Sequence, residues 1–153
     1  MKLAIGCDNA AIEFKNRIKE YLENSRKIEF EDVGVFNSND SIYYPKIAEK
    51  VVKIIQDSNN DIRYGMLFCG TGIGMALSAN KFKGIRAAVC HNIYSAERAK
   101  KSNNANVLTM GARIIGPMLA QKLVDMWLDS EYNGGRSAPK VKIIDEFEEK
   151  NFK

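Results

Sequence analysis

Cys69-Gly70-Thr71-Gly72-Ile73-Gly74 is the stretch of this chain best equipped for chemistry. Its three glycines leave backbone N–H groups open to a close ligand, and a ring of such donors can hold an anion. A helical pattern starts just after it and adds the field of a helix N-terminus. Cys69 sits at the rim of the turn, where that field favours a thiolate. The Gly-Lys-Ser/Thr of a P-loop is missing, and the glycine spacing is not that of a dinucleotide fingerprint. A buried cysteine before a tight strand–helix turn has the same pattern, so the residues alone leave both readings open.

Other residues could join it. Asp8 directly follows an apolar run, where a carboxylate can accept hydrogen bonds from substrate hydroxyls, cap a helix, or do both. Arg113, Arg136 and Lys140 could converge on a phosphate through charge-assisted hydrogen bonds, or they could be solvated surface charge. The four-residue spacing of Arg136 and Lys140 puts both on one face if that region is helical. His91 is the single histidine. It ends a strand-like run, where a lone histidine is more often structural, and it leaves nothing over for a histidine-rich metal centre. Cys7, Cys69 and Cys90 show no C-x-x-C spacing, and their odd number argues against a disulfide framework or a thiolate zinc site.

Short β-prone runs alternating with helical patterns predict βαβ units and a parallel sheet. The strands are expected at Leu3–Cys7, Ile28–Val33, Met66–Cys69, Ile85–Cys90 and Val107–Met110. Helices are expected at Ala10–Glu23, Pro45–Gln56, Gly74–Phe82, Ile93–Ser102, Pro117–Leu128 and Pro139–Phe152. Lys and Arg should lie on the outer face of the helix from Ile93, and Trp127 should be core. The fold class expected is α/β: one three-layer Rossmann-like domain over residues 1–153, with a five-stranded parallel sheet in the order 2-1-3-4-5. Sites in such sheets lie at the carboxyl ends of the strands, which picks out Asp8, the Cys69 turn and His91.

Composition narrows the function. The chain has 153 residues, 45% hydrophobic and 27% charged, with no apolar stretch long enough to span a membrane. Met1-Lys2-Leu3-Ala4-Ile5-Gly6 is interrupted by Cys7-Asp8 too soon for a secretory signal, so a cytoplasmic location is expected. A formal charge of +4 suits a small anionic substrate and is too scattered for nucleic acid.

Larger motifs then appear in order: Gly6-Cys7-Asp8, Tyr44-Pro45, the Cys69–Gly74 turn, Ala79-Asn80-Lys81, Gly84-Ile85-Arg86, Tyr94-Ser95-Ala96, Asn106-Val107-Leu108, Gly111-Ala112-Arg113 and Glu131-Tyr132-Asn133-Gly134-Gly135-Arg136. Over nearly its whole length the chain resembles the type B ribose-5-phosphate isomerases, in the family that includes the galactose-6-phosphate isomerase subunits. The resemblance implies an aldose–ketose isomerase of a sugar phosphate, most directly ribose-5-phosphate to ribulose-5-phosphate. It implies no metal or organic cofactor, and a homodimer or tetramer with sites between subunits. Cys69 would move the proton between C1 and C2, with Thr71 beside it among the catalytic residues. Gly70, Thr71, Gly72, Ile73 and Gly74 would stabilise the enediolate. Asp8, Asn9 and Tyr44 would line the sugar, and Asn103 would hold a substrate oxygen. Arg113, Arg136 and Lys140 would bind phosphate.

Three positions depart from the family. Asn9 and Ser102 stand where histidines are usual, and Lys140 stands where arginine is common. Lysine keeps the charge but loses the bidentate fork. Ser102 occupies the ring-opening position, and a hydroxyl is a poor general acid or base near pH 7. A tetrose 4-phosphate cannot close a five-membered ring, because the closing hydroxyl carries the phosphate. Ser102 therefore opens three alternatives: a preference for such a short substrate, a paralogous partner chain that supplies a histidine as in galactose-6-phosphate isomerase, or a catalytically silent sugar-phosphate binding protein. Retention of Cys69 argues against the last.

Overall fold

The structure is a computed structural model, and it describes residues 1–152. Alternating side chains build its sheet. In β1 (Lys2–Cys7), Leu3, Ile5 and Cys7 face one side and Ala4 the other. In β3 (Tyr64–Cys69), Met66 and Phe68 share the first side, while Leu67 and Cys69 take the second. With β2 (Glu29–Asp32), β4 (Ala87–Val89) and β5 (Val107–Gly111) these strands form one parallel five-stranded sheet. A parallel sheet needs both faces covered. The first side carries α1 (Ile12–Tyr21), α4 (Ile93–Lys101) and α5 (Pro117–Leu128), with Trp127 in the core as expected. The second carries α2 (Tyr44–Gln56) and α3 (Ile73–Ala79). Finally α6 (Ala138–Asn151) lies by the β4 edge, tied by Lys83–Glu149 and Arg86–Asp145 ion pairs.

The strand order is β2-β1-β3-β5-β4, not the expected 2-1-3-4-5. Right-handed crossovers explain the difference. An order ending 3-4-5 would put α4 on the face of α2 and α3. Instead α4 packs on α5, across the sheet from α3, so the chain must turn back after β4. Burial agrees. All of Val107–Gly111 is buried, as befits an interior strand, whereas three-residue β4 is half-buried at the edge. Its exposed backbone is partly satisfied by Asn80, whose side-chain amide both donates to and accepts from Ala87. Sequence runs do not reveal whether a crossover passes one strand or two.

The outer face expected for the α4 lysines fails at one position. Lys100 is only 4% exposed, and no acceptor among the described residues reaches its Nζ. The ammonium instead lies 4.3 Å from the ring centroids of both Tyr64 and Trp127. Two aromatic faces replace part of its lost hydration. Burial still pushes the group down to about 8, against the pull of Glu131 and Asp129.

A depressed lysine makes the native state the weaker proton binder between that value and the ordinary lysine range, so stability rises with pH there. Cys7 and Cys90 act oppositely. Burial raises both thiols to about 11, so the native state holds their protons longer and stability falls as pH climbs above about 9. Urea unfolding is therefore expected to show maximal stability near pH 9, with each such group changing it by at most about 1.4 kcal/mol per pH unit. In Lys100→Met the rise between about pH 8 and 9 should vanish while the fall above it persists. An unchanged rise would mean that Lys100 titrates normally.

Candidate active site

Three strand ends meet at the carboxyl edge of the sheet. Asp8 leaves β1, its N–H donating to the Phe68 carbonyl at 3.2 Å. Its Oδ1 accepts the Ala10 N–H at 3.0 Å, and its carbonyl accepts from Ala11. Asp8 therefore closes a turn ahead of α1, whose N-cap is Ala11, rather than capping the helix itself. Burial raises its carboxyl pKa, opposed by the Ala10 N–H and the Arg113 charge.

Cys69 ends β3, 5% exposed, and its Sγ accepts the Gly72 N–H at 3.0 Å. That bond requires the chain to double back within three residues. Gly72 does so at φ +75°, where a side chain would also press on the Met110 backbone. Thr71 Oγ1 accepts from the Ile73 N–H, while the N–H groups of Thr71 and Gly74 meet no acceptor among the described residues. The ring of Tyr44, from the first turn of α2, lies against Gly74.

After β5 the chain clasps this loop. Ala112 N–H donates to the Cys69 carbonyl at 2.9 Å, and Arg113 N–H to the Gly70 carbonyl at 3.0 Å. The approach is so close that a Cβ on Gly111 would sit 2.6 Å from the Thr71 backbone. The Arg113 guanidinium lies over Gly70. Together Asp8, Asn9, Tyr44, Cys69, Thr71 and Arg113 surround an open cleft of about 490 Å³, with Gly70, Ile73, Gly74 and Leu77 completing its wall. A thiol, a carboxylate, free N–H donors and a guanidinium can together bind a small phosphorylated polyol and move a proton on it.

Residues 3–144 match the family model described as Ribose/Galactose Isomerase. The chain belongs to that family. Membership makes it an aldose–ketose isomerase of sugar phosphates. The isomerase is 53% identical over 151 residues to Ribose-5-P isomerase B of Listeria innocua, covering 99% of each chain. It is 47% identical over 148 residues to D-erythrulose-4-phosphate isomerase of Pectobacterium atrosepticum, covering 97% of this chain and 95% of the other. Its backbone matches ribose-5-phosphate isomerase B of Clostridium thermocellum with a TM-score of 0.92 at 39% identity, over 98% of this chain and 99% of that one.

Not every residue singled out in the sequence reaches the cleft of the isomerase. Ser102 and Asn103 follow α4 where the chain enters the amino end of β5, the edge of the sheet opposite Cys69. Ser102 Oγ accepts from Arg98 Nη1 at 3.4 Å, and Asn103 Nδ2 donates to the Arg98 carbonyl at 3.1 Å. Asn103 lines a separate groove with Ile144 and Phe147. Arg136 lies in a 3-10 turn, Gly135–Ser137, and Lys140 in the first turn of α6. The two therefore do not share one α-helix, and neither lines the Cys69 cleft. His91 stands at a strand end and outside the cleft wall, and its Nε2 accepts the Gly111 N–H at 2.9 Å.

Proposed function

We propose that the chain interconverts ribose-5-phosphate and ribulose-5-phosphate through an enediolate, with Cys69 as the base. The observation that carries this reading is the Gly72 N–H aimed at Cys69 Sγ, 3.0 Å away, in a cleft shared with Asp8, Tyr44 and Arg113. The thiolate takes the C2 proton of the open-chain aldose, exchanges it with solvent and delivers a proton to C1, while a proton moves from the C2 hydroxyl to the C1 oxygen. Atoms and charge balance without an added oxidant or reductant. The free N–H groups of Thr71 and Gly74 suit the developing oxyanion, a kind of stabilisation worth about 3–4 kcal/mol in comparable sites. Asp8 and Asn9 hold hydroxyls and Tyr44 walls the sugar. Three free thiols suit a reducing compartment, the cytoplasm.

In this reading Asn103, Arg136 and Lys140 serve the cleft of a second copy. Leu77, 64% exposed, and Tyr43, 81% exposed, surround or flank the cysteine half, and Ile143, Ile144 and Phe147 are exposed on the helix that follows Arg136. Apolar side chains beside two incomplete half-sites support a symmetric dimer that joins each to its complement. The first experiment follows ribulose-5-phosphate formation by absorbance with the purified chain alone. Turnover supports the reading and removes the need for a paralogous partner, and no turnover with the dimer intact contradicts it.

Ser102 favours a second reading, a tetrose 4-phosphate as preferred substrate, and the Pectobacterium relative is named for such a substrate. A tetrose phosphate needs only the C1–C2 transfer. If ring opening limits the pentose, Ser102→His should raise kcat/KM for ribose-5-phosphate by roughly tenfold or more and leave the tetrose nearly unchanged. A chain that already prefers ribose-5-phosphate, and gains nothing from the histidine, excludes the shorter substrate.

A further inference from the structure

The imidazole of His91 stands in for a backbone carbonyl. β4 and β5 pair as Ala88↔Leu108 and Val89↔Thr109, and the Cys90 N–H still donates to the Thr109 carbonyl at 3.1 Å. Gly111 is the next donor facing β4. Its N–H goes to His91 Nε2 at 2.9 Å. A backbone amide only donates, so Nε2 carries the lone pair and the proton of the neutral ring sits on Nδ1. Burial lowers the pKa of the ring, which favours that neutral form. Gly111 also opens the turn that holds the cysteine loop, through Ala112 N–H on the Cys69 carbonyl and Arg113 N–H on the Gly70 carbonyl. His91 is thus the outer anchor of a run of hydrogen bonds that ends at the Arg113 backbone N–H and the reacting loop.

We propose that His91 is a positioning residue of the isomerase: as the neutral Nδ1–H tautomer it fixes Gly111 and so aims Arg113 at the substrate phosphate. It lies outside the cleft wall. The inference rests on the proposed function, with Arg113 as the phosphate ligand that the family resemblance implies. A phosphate contact is made alike in the ground and transition states, so loosening it raises KM more than it lowers kcat.

The test combines kinetics with NMR, for which a single histidine gives an unambiguous signal. Long-range ¹H–¹⁵N spectra of the native chain should show a protonated Nδ1 and a bare Nε2. His91→Leu should raise KM for the better of ribose-5-phosphate and a tetrose 4-phosphate by about tenfold, with kcat within about threefold. His91→Gln places an amide oxygen near the lost Nε2 and should bring KM back to within about threefold of the native value. An Nε2–H tautomer, a native KM in the leucine variant, or a glutamine variant no better than leucine would each overturn the proposal. If the leucine variant does not fold, the tautomer and the glutamine variant decide. Failure of the phosphate reading looks different: Arg113→Ala would leave KM unchanged while the Nδ1–H tautomer persists.

Discussion

Cys69→Ala is expected to lower kcat by roughly a thousandfold, the usual worth of a positioned general base. The fold should survive. The change removes one sulfur at a cleft wall, and the clasp from Ala112 and Arg113 runs through the backbone carbonyls of Cys69 and Gly70, not through Sγ. Inorganic phosphate should therefore bind the variant as it binds the native chain. Iodoacetamide should label Cys69 ahead of Cys7 and Cys90, whose thiols are buried and held at about 11, and substrate should protect it. Full activity in the alanine variant would remove the thiol from the mechanism and leave Asp8 as the carboxylate in the cleft able to replace it.

The second large effect is complementation. Arg136→Ala should raise KM about tenfold or more, since a charge-assisted phosphate contact is worth about 1.5–3 kcal/mol. Assayed well below the native KM it keeps about a tenth of native activity or less, and Cys69→Ala keeps almost none at any concentration. If each cleft takes its cysteine from one copy and Arg136 from the other, a mixed dimer of these variants holds one intact site and one doubly damaged site. Refolding the two in equal amounts should recover about a quarter of native activity, because half the dimers are mixed and half their sites are intact. No recovery, with mixed dimers demonstrated, would mean that cysteine and arginine act within one copy.

Local chemistry was legible in the sequence. The Cys69–Gly74 run, Asp8 after an apolar strand, and Tyr44 beside Pro45 border one cleft, because each is positioned by its own strand end or helix start. Helix positions also followed from periodicity, although α1 starts two residues late and continues as a π-helical turn through Leu22–Arg26. What depended on distant packing was hidden. The exchange of β4 and β5 follows from which face α4 covers, and Lys100 is buried because Tyr64 and Trp127, far away in sequence, make a place for it. Asn103 and Arg136 carry the family pattern and Ser102 and Lys140 depart from it, but no spacing rule says whether the four face the cleft of their own chain or that of another copy. His91 reads in the sequence as a strand-end histidine, more often structural, and its partner is a backbone amide, which leaves no mark on composition or spacing.

The central claim is that Cys69 carries a proton between C1 and C2. Its most direct test is isomerisation in D₂O, followed by NMR, with the native chain and Cys69→Ala side by side. A thiol that takes the C2 proton exchanges it with solvent before handing it on, so the native chain should place deuterium at C1 of the ketose and C2 of the recovered aldose. The alanine variant should place none at either carbon over the same period. Isomerisation by the native chain without deuterium uptake, or uptake by the variant at the native rate, would contradict the account.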